Sequence, residues 1–311
     1  MDRHELRLPG GPLKILLFGK SGQVGWELQR ALAPIAELVA VDRDDTGRFC
    51  GDLTDVDRVL ATVQHVKPDA IVNAAAHTAV DKAETEPDLA RAINATGPAV
   101  LARASAKCGA WLVHYSTDYV FNGTGSKPWT EDDATGPLNV YGQTKLEGEQ
   151  QIRSSGCQHL IFRTSWVYAS RGQNFARTML RLAAKRDQLT IINDQHGAPT
   201  GADLLADVTA HALLAAIRQP ALGGTYHVTA TGETTWHGYA RHVIETARAA
   251  GQPIRVAPDA IRPVESAAFK TAASRPLNSR LDTSKVRETF GFQLPHWATG
   301  VDRMLTEVLE R

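Results

Sequence analysis

The sequence predicts an α/β protein with a parallel central sheet. Short apolar runs bounded by turn residues alternate with longer segments of helical periodicity from Leu13 to about residue 200. These intervening segments are long enough for the helical crossovers that parallel neighbours in a sheet require. Hydrophobic residues make up 43% and charged residues 22% of the 311-residue chain, which is typical of a globular protein and excludes disorder.

The strands are predicted from apolar runs of the kind found in a sheet that is buried on both faces. The first run, LKILLF, precedes a glycine-rich turn and a helical pattern that ends at Pro34. A second helical stretch, residues 88–107, separates two of the later runs. The predicted strands cover residues 13–18, 37–42, 70–76, 111–118, 159–168 and 189–194.

Beyond Thr200 the alternation becomes less regular. Apolar residues recur with helical spacing in residues 236–247 and again in residues 301–309. Between these two predicted helices, residues 261–282 carry proline and arginine residues and show no clear period. A long irregular segment inside a compact domain is usually a binding loop or a linker.

Charge and cysteine content narrow the functional class. Lys plus Arg and Asp plus Glu both number 34, so general binding of nucleic acid or of an anionic membrane is not expected. Cys50, Cys108 and Cys157 are too widely spaced for a metal site or a disulfide framework. The sequence shows no signal peptide and no membrane-spanning run. We therefore expect a reduced, cytoplasmic protein in which residues 1–12 form a flexible lead-in.

The turn after the first predicted strand has the spacing of a dinucleotide-binding loop. Gly19, Gly22 and Gly25 form a G-x-x-G-x-x-G pattern between a strand and a helix. The first glycine permits a tight turn, the second lets the backbone approach a pyrophosphate, and the third lets the helix pack closely on the strand. The N-terminus of the helix adds N–H donors and a positive dipole end. Strand, turn and helix in this order predict a dinucleotide cofactor.

Asp42 ends the second predicted strand, about twenty residues after the turn. A carboxylate at this position can accept a hydrogen bond from the ribose 2′-hydroxyl of an NAD-type cofactor. The adjacent Arg43 would instead favour a 2′-phosphate, so NADH and NADPH both remain open. The alternative interpretation of Asp42 is a solvated carboxylate that binds nothing.

Tyr141 and Lys145 are four residues apart, which places the phenol and the ammonium on one face of a helix. Thr117 lies at the carboxyl end of the predicted strand WLVHYSTD, and ligands bind outside the carboxyl ends of the strands in an open parallel sheet. A neighbouring ammonium lowers the pKa of a phenol, as proton exchange with a carbonyl oxygen requires. The three side chains therefore predict an oxidoreductase site beside the nucleotide.

The glycine turn, the strand-end Thr117 and the Tyr141/Lys145 pair in this order resemble the extended short-chain dehydrogenase/reductases. Within that superfamily the chain resembles the dTDP-4-dehydrorhamnose reductase family over nearly its whole length, from about Leu13 onward. The matching stretches are LLFGKSGQVGWELQRAL, VNAAAHTAVDKAE, HYSTDYVFNG, PLNVYGQTK, FRTSWVYA, NFARTMLRLA, INDQHGAPTG and RPLNSRLD.

The resemblance implies a Rossmann-type doubly wound parallel sheet with a smaller, partly interleaved α/β substrate-binding domain. The dinucleotide-binding domain would cover residues 13–165, with segments around 172–200 and 224–250 returning to it, and the substrate domain mainly residues 166–311. The implied reaction is the NADPH- or NADH-dependent reduction of the C4 keto group of dTDP-4-dehydro-L-rhamnose. This is the last step of dTDP-L-rhamnose synthesis for cell-surface polysaccharide, such as the O-antigen of lipopolysaccharide.

The site residues implied by the resemblance are carried over position by position. Tyr141 would give the proton to the keto oxygen, Lys145 would hold the nicotinamide ribose and lower the tyrosine pKa, and Thr117 would orient the carbonyl. The expected cofactor contacts are Gly19, Gly22, Gln23, Val24, Gly25, Asp42, Arg43, Asp52, Leu53, Ala76, His77, Thr78, Tyr141 and Lys145. The expected substrate contacts are Thr117, Asp118, Trp166, Arg275 and Asn278.

Three of these residues allow a second interpretation. His77 would then only fix a loop after a buried strand, Trp166 would belong to the core, and Arg275 would be a surface charge.

Some members of the family also carry a Mg²⁺ ion between subunits. Glu27 and Glu307 match two of its acidic positions, whereas Asp203 stands where the family has glutamate. The shorter carboxylate weakens the geometry that a hard cation needs. The sequence therefore supports the Mg²⁺ site, and the homodimer that it would bridge, less well than the reductase site.

Two alternative functions remain. A nucleotide-sugar dehydratase or epimerase of the same superfamily would use the same tyrosine and lysine, but a dehydratase usually needs an Asp-Glu pair beside the threonine. Here Asp118 is followed by Tyr119. A non-catalytic dinucleotide-binding regulatory subunit is the other alternative, and intact Thr117, Tyr141 and Lys145 argue against it.

Overall fold

A computed structural model describes residues 12–310 of the chain, so the expected lead-in of residues 1–12 lies outside the described residues apart from Pro12. The strands in this range are β1 (Leu13–Phe18), β2 (Ala36–Val41), β3 (Ala70–Asn73), β4 (Trp111–Thr117), β5 (His159–Thr164), β6 (Val167–Tyr168), β7 (Leu189–Ile192), β8 (His196–Gly197), β9 (Thr200–Gly201), β10 (Gly224–His227), β11 (Thr234–Thr235) and β12 (Ile261–Val264).

The helices in the same range are α1 (Gln23–Leu32), α2 (Val56–Val66), α3 (Val80–Thr85), α4 (Pro87–Arg91), α5 (Gly97–Cys108), α6 (Val140–Ser154), α7 (Phe175–Ala183), α8 (Ala202–Arg218), α9 (Trp236–Ala249), α10 (Ser284–Phe290) and α11 (Trp297–Leu309). A π-helical turn, Ala92–Thr96, joins α4 to α5. No helix within residues 12–310 is both long and apolar enough to cross a membrane.

Six parallel strands form the large sheet in the order β10-β5-β4-β3-β1-β2. The strand order reverses between β1 and β3, and ligands of open α/β sheets bind at such a switch point. The turn that follows β1 and the loop that follows β3 therefore flank one crevice. The predicted α/β class and the doubly wound parallel sheet are confirmed.

The large sheet is buried on both faces, as its continuous apolar strands require. In β1, Ile15 and Leu17 face a cluster formed with α1, α8 and α10, whereas Leu16 and Phe18 face a cluster formed with α2, α5 and α6. This alternation gives each face of the sheet its own core and holds the carboxyl ends of the strands in fixed positions.

A second core lies outside the large sheet. Helices α7, α9 and α11 pack there with β7 and β12, which pair with each other in a separate two-stranded sheet. The prediction that residues 189–194 add a strand to the main sheet is therefore wrong. Thr190 explains the difference, because it is exposed between the buried Leu189 and Ile191, whereas a central parallel strand is buried on both faces.

The later segments of the chain divide between the large sheet and the second core. Strand β10 joins the large sheet beside β5, and α8 packs against α1 on one face of it. Within residues 172–200, α7 and β7 belong to the second core. Helix α9 belongs to the same second core. Within residues 224–250, therefore, β10 joins the large sheet and α9 does not.

The predicted strand of residues 159–168 is interrupted. Strand β5 ends at Thr164, and Trp166 adopts a positive φ of 48°, which a continuing strand cannot accommodate. Strand β6 then pairs with β9 instead of with the large sheet. This break places Trp166 beside the carboxyl end of the sheet.

Candidate active site

The glycine-rich turn has the geometry that its sequence predicts. Gly19 has a φ of +84°, and a Cβ there would lie 2.7 Å from the backbone nitrogen of Ala75. A Cβ on Gly25 would meet the carbonyl oxygen of Gly19, so α1 packs directly on the turn. Gly22 is exposed and precedes α1 without any side-chain cap, so the first N–H groups of the helix are free for an anion.

Asp42 ties the end of β2 to this turn. Its carboxylate accepts hydrogen bonds from the backbone N–H of Ser21 (2.8 Å), from the Ser21 hydroxyl and from the backbone N–H of Arg43 (2.8 Å). Burial opposes ionisation of Asp42, but these hydrogen bonds outweigh it and hold the pKa of Asp42 below its ordinary value. A charged acceptor therefore stands where the adenosine ribose of a dinucleotide would lie.

The surroundings of Asp42 contain further expected cofactor residues. A Cβ on Gly51 would lie 2.6 Å from the backbone nitrogen of Asp42, which brings the loop with Asp52 and the buried Leu53 against it. The guanidinium of Arg43 is exposed and pairs with Asp44 (3.0 Å). An NADPH phosphate would therefore have to draw Arg43 away from a neighbouring carboxylate.

A cleft of about 440 Å³ opens beside the turn at the carboxyl ends of the strands. It brings together ten of the residues that the sequence predicts for the site: Gly22, Gln23, Val24, Ala76, Thr78, Thr117, Asp118, Tyr141, Lys145 and Trp166. Gly19 and Gly25 lie beneath the cleft as backbone supports, and Asp42, Arg43, Asp52 and Leu53 lie at the adenosine end described above.

Tyr141 stands in the first turn of α6, next to Asn139, whose side chain caps this helix by accepting the N–H of Gly142 at 2.8 Å. The Tyr141 ring packs edge-on against Tyr119 with ring centroids 5.5 Å apart. Burial raises the pKa of Tyr141 to about 12, and a hydrogen bond with Thr117 opposes this shift only in part. The phenol therefore keeps its proton at neutral pH, as a proton donor must.

Lys145 lies one turn further along α6 and is 2% exposed. Its Nζ donates to the carbonyl oxygen of Tyr115 at 2.5 Å, and burial lowers its pKa to about 8. The expectation that Lys145 lowers the pKa of Tyr141 does not hold in this conformation. Burial dominates at both groups and disfavours both the phenolate and the ammonium.

Three residues that line the cleft have a buried polar atom without a hydrogen-bond partner among the described residues. Oε1 of Gln23, Oδ2 of Asp118 and Oγ1 of Thr164 are buried, and none of them has a hydrogen-bond partner within residues 12–310. A buried polar atom without a partner is costly, and a bound molecule is one way to satisfy it. Together with the free N-terminus of α1, these atoms fit a dinucleotide and a hydroxylated substrate.

Trp166 forms one wall of the cleft together with an aromatic residue that the sequence did not identify. Its ring stacks on Trp236 with centroids 3.8 Å apart and an interplanar angle of 16°. A Cβ on Gly197 would lie 2.9 Å from the Trp166 ring, so only glycine leaves room for this arrangement. Both tryptophans line the cleft, which favours a binding role for Trp166 over a purely core role.

Two further expected contacts, His77 and Arg275, also lie outside the lining of the cleft. His77 lies in the loop after β3, where Asn94 binds both its backbone N–H and its carbonyl oxygen, and its ring faces Glu86 at 3.6 Å. Arg275 pairs with Asp81 at 2.6 Å and 3.2 Å. These contacts favour loop fixation for His77 and show Arg275 held at the edge of the site.

Asn278 is 1% exposed and fastens the carboxyl-terminal loop to its surroundings. Its Nδ2 donates to the carbonyl oxygens of Thr124 (3.2 Å) and Lys127 (2.8 Å), and its Oδ1 accepts from Arg280. The amide is fully engaged within the protein, so Asn278 fastens the loop in this structure, and its contact with the substrate stays a prediction. The long-range pairing of Asn278 was invisible in the sequence.

The three acidic residues expected to bind Mg²⁺ line a separate cleft, but they face arginines. Glu27 pairs with Arg30 at 3.1 Å, and Arg303 pairs with Asp203 at 3.2 Å and with Glu307 at 3.9 Å. The described part of the chain contains no group of three or more side chains that could hold a metal ion. The expected Mg²⁺ site is therefore not supported, because its carboxylates already have cationic partners, and the homodimer stays a prediction.

The fold and the site define a dinucleotide-binding enzyme of the short-chain dehydrogenase/reductase class. The defining features are the glycine turn at the switch point, the hydroxyl of Thr117 at the end of β4 and the Tyr141/Lys145 pair on α6. Residues 13–310 match the family model described as the RmlD substrate binding domain. The chain belongs to this family, the dTDP-4-dehydrorhamnose reductases.

Curated relatives and solved structures agree with this assignment. The dTDP-4-dehydrorhamnose reductases of Salmonella typhimurium and Escherichia coli K12 are 57% and 56% identical over 296 residues, which is 95% of this chain and 98% of theirs. The Clostridium acetobutylicum and Bacillus anthracis reductase structures superpose with TM-scores of 0.85 and 0.84 at 35% and 34% identity, over 96% of this chain and 100% of theirs. The Bacillus anthracis structure contains NADP.

Structures of less similar enzymes show the fold alone. A UDP-sugar 4-epimerase of Campylobacter jejuni and a dTDP-glucose 4,6-dehydratase of Streptomyces venezuelae superpose with TM-scores of 0.76 and 0.77 at 19% and 20% identity. They cover 96% of this chain and 98% of their own lengths.

Proposed function

We propose that this enzyme reduces the C4 keto group of dTDP-4-dehydro-L-rhamnose to give dTDP-L-rhamnose in the cytoplasm, with NADPH or NADH as the reductant. The observation that carries the proposal is the placement of Thr117, Tyr141 and Lys145 in one cleft beside the glycine turn. The relatives at 56–57% identity that carry the name of this activity support the substrate.

The residues at the nucleotide end would hold the cofactor. The N–H groups at the start of α1 would bind the pyrophosphate, and Asp42 would accept from the adenosine ribose. When bound, the nicotinamide supplies a hydride from its C4 atom to C4 of the sugar. Every other requirement of the reaction falls to side chains of this chain.

Tyr141 would deliver the proton. Its phenol is protonated at neutral pH, since its pKa lies far above 7, so a proton is available when negative charge develops on the keto oxygen. The hydroxyl of Thr117 would hydrogen-bond the same oxygen and fix its direction. Lys145, once turned toward the cofactor, would hold the nicotinamide ribose and stabilise the phenolate that remains.

The apolar side of the cleft suits a deoxysugar. Trp166, Val167 and Trp236 belong to its lining, and a sugar with a methyl group at C6 offers a matching apolar surface. Asp118, whose Oδ2 is buried without a partner among the described residues, would accept from a sugar hydroxyl.

The direct test mixes the protein with dTDP-4-dehydro-L-rhamnose and either NADPH or NADH and follows the nicotinamide absorbance. Oxidation that requires the keto-sugar supports the proposal. Cofactor binding without oxidation would favour the regulatory subunit, and conversion of a nucleotide sugar without net oxidation of the cofactor would favour the dehydratase or epimerase.

A further inference from the structure

The buried side chain of Lys145 contacts a polar residue that has no role in the proposed reaction. Nζ of Lys145 lies 3.2 Å from Nε2 of His114, a residue of β4 that is 1% exposed. Nδ1 of the same imidazole lies 3.1 Å from Nδ2 of Asn73, the last residue of β3. Asn73, His114 and Lys145 thus form a continuous chain of polar contacts beneath the cleft.

A backbone donor fixes the direction of this chain. The N–H of Ala75 donates to Asn73 at 3.1 Å, so the atom that accepts it must be the amide oxygen of Asn73. The other end of the amide is then an NH₂ group, which can only donate. It follows that Nδ1 of His114 accepts and that a neutral imidazole carries its proton on Nε2.

The imidazole is neutral at physiological pH. Burial, together with the charge of Lys145, lowers the pKa of His114 well below its ordinary value. Its Nε2–H is therefore a donor that points at Nζ of Lys145. An ammonium has three donors and no acceptor, so it cannot accept this hydrogen, whereas the neutral amine has a lone pair that can.

The other charged groups near Lys145 act differently. Glu149, one turn further along α6, favours the ammonium but is shared with Arg163 of β5 (2.7 Å) and Arg153 (2.9 Å). Tyr141, on the same helix, keeps its proton, and Asp118 at the end of β4 acts on Tyr141. The π-helical turn packed against α6 contributes the neutral Asn94, which bonds to Thr144 (3.2 Å). His114 is thus the titratable side chain in direct contact with Nζ.

We propose that Asn73 and His114 are positioning residues for Lys145. In the inward position, with Nζ against Nε2 of His114, they accept the Lys145 side chain only as the neutral amine. The charged ammonium is thereby directed outward, toward Tyr141 and the cofactor ribose. The inference rests on the proposed role of Lys145 at the ribose. It gives Lys145 two positions, and the proton on Nζ decides between them.

The tautomer of His114 provides a test that requires neither cofactor nor substrate. Nitrogen-15 NMR of the free wild-type protein distinguishes an imidazole protonated on Nε2 from one protonated on Nδ1. We expect His114 to carry its proton on Nε2 between about pH 6 and about pH 8. A proton on Nδ1, or an imidazolium in this range, would overturn the inference even if the enzyme proves to be an active reductase.

Two variants test the consequence for Lys145 through the pH dependence of NADPH binding. In His114→Gln the side-chain oxygen can accept from the ammonium, and in Asn73→Asp the carboxylate forces the proton onto Nδ1 and leaves Nε2 as an acceptor. NADPH affinity should fall at alkaline pH, where Lys145 loses the proton that its role at the ribose requires. Each variant should let the inward site hold the ammonium and should therefore move the pH of this fall upward by about one unit. His159→Gln, at the start of β5, is the matched control and should not move it. An unchanged pH profile in both folded variants would contradict the positioning role.

Discussion

Ser21 donates to the carboxylate of Asp42 through both its backbone N–H and its hydroxyl, so the carboxylate that is predicted to bind the ribose also fastens the glycine-rich turn. This double role changes what a substitution at Asp42 should do. Asp42 would bind the cofactor directly and would also hold the backbone that approaches the pyrophosphate.

We predict that Asp42→Ala weakens NADH binding by about 1–3 kcal/mol, the range for a lost charged hydrogen bond, and weakens NADPH binding less. Ser21→Ala is the control, since it removes only the hydroxyl that braces the turn and should affect both cofactors equally. Dissociation constants from nicotinamide fluorescence measure both effects. Equal losses for the two cofactors in Asp42→Ala would assign Asp42 to the turn alone.

Arg275 is held by Asp81, which permits a paired test of the carboxyl-terminal loop. If Arg275 acts on the nucleotide sugar, Arg275→Ala should raise the KM for the keto-sugar about tenfold or more while leaving NADPH affinity unchanged. Asp81→Asn breaks the same ion pair but keeps the guanidinium, so it should raise KM much less. If the two variants raise KM equally, the ion pair only fastens the loop.

Trp236 should shape the sugar site although it lies far from Tyr141 in the sequence. We expect Trp236→Ala to raise the KM for the keto-sugar about tenfold, because it removes one of the two stacked rings of the wall. Trp236→Phe should recover most of this loss. Trp26, which is 47% exposed on α1 outside this cleft, supplies the control variant Trp26→Ala. Steady-state kinetics in which Trp236→Ala matches Trp26→Ala would exclude the wall from substrate binding.

Asp118 should make stability depend on pH. Burial raises the pKa of Asp118 to about 7 from an ordinary value of 3.8, so between these values the folded state binds more protons than the unfolded state. The contribution of Asp118 to the free energy of unfolding is thus complete below pH 3.8 and is lost as the pH rises from there to about 7.

Asp118→Asn cannot titrate and should lack this loss. In urea unfolding, the wild type should lose on the order of 2 kcal/mol more than Asp118→Asn between pH 5 and pH 8. Asp259→Asn, at an exposed position, should follow the wild type. A parallel pH dependence of the wild type and Asp118→Asn would show that Asp118 ionises freely in the folded protein.

Local sequence signals were sufficient to predict those parts of the fold and the site that depend on a single segment of the chain. The turn with Gly19 and Gly25 and the helical spacing of Tyr141 and Lys145 depend on neighbours within a few residues, and the structure places them as expected. Residue Thr190 could have excluded β7 from the main sheet, because a polar residue in a short run favours a half-buried strand.

Features that depend on distant contacts were not predictable in this way. The stacking of Trp166 on Trp236, the burial of Asn278 and the pairing of Asp203 with Arg303 each join segments far apart in the chain. His114 did leave a signal, since a lone histidine inside the apolar run of β4 needs partners for both ring nitrogens. Its partners became clear only from the packing of α6 and β3 around it.

The central claim is that Tyr141 supplies the proton, and the kcat of Tyr141→Phe tests it most directly. The substitution keeps the ring that packs against Tyr119 and removes only the hydroxyl. Since general acid catalysis contributes about 10²–10⁴-fold, we predict that kcat falls by at least about 100-fold while NADPH affinity and folding remain near wild type. Tyr119→Phe should keep kcat close to that of the wild type. A folded Tyr141→Phe enzyme with more than about half of the wild-type kcat would contradict the account.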